Sequence, residues 1–227
     1  MGTLYLVRHG QASFGADDYD QLSEQGQRQS VRLGEYFAFK GLTFEATLMG
    51  TLKRHAQTFA GIQAGMQAAG QPALPTPSTW PGLNEYDSAA VIATVHPEPL
   101  QRATTPELYK QHFRVLRQGL SSWMAGQTQP VGMPTYAEFS AGIAAVLEHV
   151  RTQHTGNVLL VSSGGPISTA VGQVLGTSPD TTIELNLRIR NSAVAEFHYT
   201  PKRHMLMTYN TLPHLDHPDH ASWITFA

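Results

Sequence analysis

Two short runs in the chain are apolar at every position: Leu4-Tyr5-Leu6-Val7 near the N-terminus and Val158-Leu159-Leu160-Val161 far downstream. The first lies between Gly2 and Gly10, and the second runs into Ser162-Ser163-Gly164-Gly165-Pro166. Both are too short for helices, so both are predicted as strands buried on two faces. Elsewhere the apolar positions recur at helical spacing. Ser23, followed by Glu24, reads as a helix cap, with Val31, Leu33, Tyr36 and Phe37 as the apolar face and Gly41 as the stop. Residues 44–49 read as a strand and 52–69 as a helix ended by Gly70. Pro72, Pro75, Pro77 and Pro81 then force an extended connection. Helices are predicted over 136–151 and from after Gly165 to about residue 175, with closing strands over 193–199 and 204–209.

Strands alternating with helices define an α/β fold, a three-layer α/β/α sandwich with a mostly parallel central sheet. The stretch 87–135 differs in character. Leu108, His112, Val115, Leu116 and Trp123 fall on one helical face, Lys110, Arg114 and Arg117 lie mostly off it, and Pro130 and Pro134 close the segment. It reads as a small helical cap inserted into a single domain over residues 1–227. The three cations suit a solvated face better than a ligand contact.

Composition narrows the classes of function. The 227 residues are 41% hydrophobic and 14% charged, as expected of a globular domain. A net charge of −2 leaves no global basic field, so neither nucleic acid nor an anionic membrane is expected as a partner. Any anion site must be local. The absence of cysteine excludes disulfides, thiolate metal sites and a thiol nucleophile. No basic-then-apolar leader precedes the first strand and no apolar stretch approaches membrane-spanning length, so a cytoplasmic location is expected.

Most of the 11 histidines have ordinary explanations. His112, His149, His154, His198 and His204 read as surface or capping residues. His214, His217 and His220 have the i, i+3 spacing of an adventitious metal site, but Pro213 and Pro218 break any helix that would align them. His9 is different. With Arg8 it stands where the first apolar run ends, and strand ends of α/β sheets are where ligands bind. A cation beside a nucleophilic imidazole there points to chemistry on an anion.

Four ordered segments extend this reading: Arg8-His9-Gly10-Gln11; Asp20-x-Leu22-Ser23-x-x-Gly26-x-x-Gln29; Leu52-Lys53-Arg54-His55-Ala56-Gln57-Thr58; and Leu83-Asn84-Glu85. Together with Asn210 and the tail Pro213-His214-Leu215, their order and spacing resemble the histidine phosphatase superfamily, the phosphoglycerate-mutase-like fold. The resemblance implies hydrolysis of small phosphomonoesters through a phosphohistidine at His9. Arg8 and Arg54 would clamp the non-bridging oxygens, Glu85 would protonate the leaving group, and Gln11, Ser163 and Gly164 would complete the phosphate pocket. No metal or organic cofactor is implied, because the arginines supply the positive charge. Each residue taken alone also has a plain role, as an ion-pair partner, a turn histidine or a loop acid.

The match breaks in three places. The family's usual valine-serine-histidine-glycine run ends the downstream strand with a second phosphate-binding histidine, where this chain has Ser163. A neutral hydroxyl forgoes about 1 kcal/mol or more relative to a charged donor. Gly15 stands near the place of a familial asparagine, and Tyr86-Asp87-Ser88 replaces the glycine-rich run common in mutases. Two rival readings therefore stand beside the phosphatase: a catalytically weak phosphate-binding or regulatory protein, and a phosphoglycerate mutase.

Overall fold

The computed structural model describes residues 1–13, 20–101 and 104–226. In chain order the elements are β1 (Gly2–Arg8), α1 (Glu24–Phe39), β2 (Ala46–Met49), α2 (Lys53–Ala68), β3 (Ser78–Thr79), α3 (Ser88–Ala93), α4 (Pro106–Met124), α5 (Tyr136–Gln153), β4 (Asn157–Ser162), α6 (Gly164–Leu175), α7 (Pro179–Arg188), β5 (Val194–Thr200) and β6 (Arg203–Thr211). The strands form a six-stranded sheet in the order β3-β2-β4-β1-β5-β6. Pairing is parallel from β3 through β1, and antiparallel at β1–β5 and β5–β6. The expected mostly parallel sheet is therefore present, with its antiparallel pairs at one edge.

The uniformly apolar runs are explained by burial on both sides. Along β1, Leu4 and Leu6 face one core and Val7 the other; along β4, Val158 and Leu160 alternate in the same way with Leu159 and Val161. Val7, Leu159 and Val161 meet Leu33 and Phe37 of α1 and Phe59, Ile62 and Met66 of α2. The opposite face meets Ile143, Val146, Leu147 and Val150 of α5 and Ile167, Ala170 and Val171 of α6. Helices thus cover both faces, as central parallel strands require.

Ser23 caps α1 as expected, its side chain accepting from the Gly26 amide, and α1 and α2 stop at Gly41 and Gly70, whose φ values of 64° and 82° favour glycine. The inserted segment supplies α3 and α4. Val91, Ile92, Val115, Leu116, Leu120 and Trp123 join the same apolar cluster as Leu4, Leu6 and Leu160, so the insertion shares its core with the sheet. Lys110 and Arg114 are exposed, whereas Arg117 pairs with Glu184 of α7. Two elements were not predicted: α7, capped by Ser178, and the two-residue strand β3 within the proline-rich connection.

Candidate active site

Sheet register brings three strand ends level. Val7 and Met49 both pair with Val161, and Arg8 pairs with Ser162. His9 and Ser163, each one residue past its strand, therefore emerge side by side, and the His9 amide donates to the Ser162 carbonyl at 2.9 Å. β2 leads directly into α2, so its first turn delivers Arg54 and His55 to the same end of the sheet. Both are buried.

His9 is only 4% exposed. Its Nδ1 lies 2.7 Å from the Gly10 carbonyl, which can only accept, so the ring proton is on Nδ1 and Nε2 keeps its lone pair. Burial, with Arg8, Arg54 and His55 close by, holds the imidazole well below its ordinary pKa and therefore neutral. The loop that carries it is fixed on several sides. The Ser192 amide donates to the His9 carbonyl at 3.1 Å, and the Gly10 amide donates to Thr58 Oγ1 at 3.1 Å. Thr58 in turn donates to the Arg54 carbonyl at 2.8 Å, tying the His9 loop to the helix that carries Arg54.

The two arginines are held from different directions. Arg8 donates through Nη1 to the carbonyls of Ile189 and Phe226, so the C-terminal segment runs against its guanidinium. Gln29 anchors that segment by donating to the Trp223 carbonyl at 2.6 Å and to Thr225 Oγ1 at 3.0 Å. Arg54 pairs with Asp20 at 2.8 Å, and the other Asp20 oxygen accepts from the Lys53 amide at 2.9 Å. Asp20 thereby sets the guanidinium and the start of α2 together.

Glu85 reaches the site by another route. Ser162 Oγ donates to the Leu83 carbonyl at 2.7 Å, and Asn84 bonds both the Thr51 amide and the Thr51 hydroxyl. These bonds pin the turn that presents Glu85. Its carboxyl accepts from the Gly165 amide at 3.1 and 3.3 Å, in the first turn of α6. Burial raises its pKa above the ordinary carboxyl value, outweighing the Gly165 amide, Arg8, Arg54 and the Tyr86 amide, which act the other way. The result is a carboxylic acid biased toward keeping its proton.

Ser163 and His55 are fully buried, and His55 Nε2 lies 2.8 Å from Ser163 Oγ. The His55 and His9 ring centres are 5.9 Å apart. Gly164 opens α6 beside Glu85. Gln11 bonds within its loop: its side-chain carbonyl accepts from Ser23 Oγ at 2.8 Å and its backbone N–H donates to Gln29 Oε1 at 2.8 Å, which knits the loop to α1. Gly15 lies outside the described residues. His55, Asp20 and Thr58 lie within the ordered sequence motifs, which by themselves give them no role; for His55 the one local signal is its place next to Arg54. His214 is buried against Ser192 Oγ at 2.9 Å, and among the described residues no group of three or more His, Asp or Glu is placed to hold a metal. Among them, too, no helix is long and apolar enough to cross a membrane.

Imidazole, guanidinium and carboxyl groups thus cluster at the strand ends. The profile of the histidine phosphatase superfamily (branch 1) matches residues 4–212, and the chain belongs to that family. A 2,3-bisphosphoglycerate-dependent phosphoglycerate mutase 1 from Nitrosomonas europaea is 34% identical over 94 residues, which span 39% of this chain and 38% of the mutase. Phosphoserine phosphatase from Entamoeba histolytica superposes with a TM-score of 0.64 at 19% identity, covering 95% of this chain and 100% of that one. Phosphoglycerate mutase from Bacillus anthracis gives a TM-score of 0.64 at 18% identity, covering 94% of each chain. At such identities the superpositions establish the fold.

Proposed function

We propose that the chain hydrolyses small phosphomonoesters through a phosphohistidine at His9. The observation that carries this reading is the state of His9: buried, neutral, with Nδ1 committed to a carbonyl and Nε2 keeping its lone pair near Arg8 and Arg54. A neutral imidazole is the form that attacks phosphorus. The guanidinium groups neutralise the incoming ester and the charge that spreads over the transferring oxygens. Nε2 forms a bond to phosphorus as the ester P–O bond breaks, and Glu85 gives its proton to the departing alkoxide. The Glu85 carboxylate then takes a proton from water as that water attacks phosphohistidine, releasing inorganic phosphate and restoring both groups.

A hollow under the inserted helices bears on the leaving group. It is small, about 20 Å³, is lined by Tyr86, Trp123, Tyr136 and Phe139 among others, and shares Gly165 with the Glu85 site. Among the described residues no charged side chain lines it, so this side of the site offers no cation to the carboxylate of a phosphoglycerate. Hydrolysis is therefore favoured over mutase chemistry. Phosphate release from p-nitrophenyl phosphate and from a panel of alkyl phosphates tests the reading. Turnover that disappears in His9→Ala supports it; no turnover in the wild type, or turnover indifferent to His9, overturns it.

A further inference from the structure

Gln29 lies on the buried face of α1 with no exposed surface. An amide sealed from water destabilises the fold unless its hydrogen bonds are replaced, and an apolar side chain would pack there with less desolvation. Here oxygen and nitrogen are both in use. Oε1 accepts from the Gln11 backbone N–H at 2.8 Å, and Nε2 donates to the Trp223 carbonyl at 2.6 Å and to Thr225 Oγ1 at 3.0 Å. The first contact is possible because the loop after His9 lies backbone to backbone on α1. A Cβ on Gly26 would stand 2.1 Å from the Gln11 carbonyl oxygen, and one on Gly10 2.3 Å from the Gly26 carbonyl oxygen.

The two segments joined by this amide lead to the two groups assigned to the phosphate. Gln11 is two residues past His9, and Thr225 precedes Phe226, whose carbonyl shares Arg8 Nη1 with that of Ile189. Asn191 holds the same segment from the other side. Its backbone N–H donates to the Thr225 carbonyl at 2.9 Å, and its Oδ1 accepts from Thr225 Oγ1 at 3.0 Å. A guanidinium is a rigid plane, so two carbonyls on one of its nitrogens fix the direction of the whole group.

We propose that Gln29 is a positioning residue that sets the Arg8 guanidinium against His9, its carbonyl holding the loop after His9 and its amide nitrogen holding residues 223–226, whose last carbonyl takes Arg8. This rests on the phosphoryl-transfer reading above. Asp20 opens the sequence segment that Gln29 closes, and it holds Arg54 directly. Gln29 acts on the other arginine at one remove. A misaimed guanidinium forfeits its paired contacts with phosphate oxygens both in the bound ester and in the transition state, so affinity for phosphate and turnover fall together. A fold weakened only by three lost hydrogen bonds would yield less active protein and leave the phosphate affinity of the folded fraction unchanged.

Gln29→Met keeps the side-chain volume and none of the three bonds. It should lower kcat on p-nitrophenyl phosphate by about tenfold and raise the dissociation constant of inorganic phosphate, measured by titration calorimetry, by about tenfold. Deleting residues 225–227 removes the Phe226 carbonyl and spares the bond between Gln29 and Gln11. The deletion should reproduce both losses, and adding Gln29→Met to it should weaken phosphate no further. In Arg8→Ala, which has no guanidinium to aim, neither change should alter phosphate affinity. Unchanged phosphate affinity in Gln29→Met and in the deletion overturns the proposal, as does equal weakening with and without Arg8. Should Gln29→Met fail to fold, the deletion compared in the Arg8 and Arg8→Ala proteins decides the question alone. Full activity in His9→Ala would instead remove the phosphohistidine reading, whatever the phosphate titrations show for Gln29.

Discussion

The Gly165 amide donates to both carboxylate oxygens of Glu85, at 3.1 and 3.3 Å. The acid assigned to leaving-group protonation is thus seated on the first turn of α6, the same turn that follows Ser163. Helix N-termini favour the ionised carboxylate, whereas burial favours the neutral acid, and burial prevails. That retained proton is the one the proposed acid role requires.

Glu85→Gln separates substrates by leaving group. Alkyl phosphates should lose about a hundredfold or more in kcat, within the range for a positioned general acid. p-Nitrophenyl phosphate, whose phenolate leaves unaided, should lose less than about tenfold. In the wild type, alkyl turnover should fall as pH rises through the elevated Glu85 pKa, because the donor loses its proton there. That alkaline limb should be missing from the glutamine variant. Equal losses on both substrates would take Glu85 out of the acid role.

Gly165→Ala tests the seating of the acid without touching its chemistry. A Cβ at this position would come within 2.3 Å of Glu85 Oε1 and 2.7 Å of the Tyr86 ring, so one of them must move. The alkyl-ester rate should drop by about tenfold or more, while aryl-ester turnover changes little. Parallel losses on both substrates would mean that Glu85 is not the group displaced.

Three imidazoles are buried and held neutral: His9, and His55 and His214 with pKa values of about 3. Unfolding returns each to an ordinary value near 6.5. Below that pH the unfolded chain binds protons that the folded chain refuses, so stability is lost as pH falls below about 6.5, for His55 and His214 until about 3. Each group contributes on the order of 1 kcal/mol per pH unit below its ordinary value. Thermal unfolding should therefore show a Tm lower by at least about 5 °C at pH 5.5 than at pH 7.5. An unchanged Tm would mean that these rings are not neutral in the fold.

Ser163→His, which would restore the familial histidine, is a gain only if the serine leaves a gap. It does not: Ser163 is fully buried and in contact with His55. Overpacking of this kind costs about 1–3 kcal/mol. The single variant should be less stable and less active on p-nitrophenyl phosphate. Adding His55→Ala vacates the space and should restore activity above that of the single variant. A more active Ser163→His alone would show that the pocket has room the structure denies.

Much of this site was legible before any coordinates. Arg8 and His9 stand out because they break an apolar run, and the buried strands could be read because Leu4–Val7 and Val158–Val161 carry no polar face. Ser163 stood out as a departure. Its bond to His55 did not, because the two residues are 108 positions apart and meet only through the register that sets Met49 opposite Val161. α7 escaped because it buries only Thr182 and Ile183, too few apolar positions to make a periodic stripe. Gln11 is a different case. It sits two residues from His9 in sequence, and its side-chain carbonyl accepts from Ser23 at the start of α1.

The central claim is that His9 takes the phosphoryl group. Rapid acid-free quenching after mixing the enzyme with a ³²P-labelled phosphomonoester should trap close to one labelled phosphate per chain. The label should survive alkali, be released by acid, and be absent from His9→Ala. A wild-type enzyme that turns over the ester yet traps no acid-labile phosphate, or traps it equally without His9, contradicts the account.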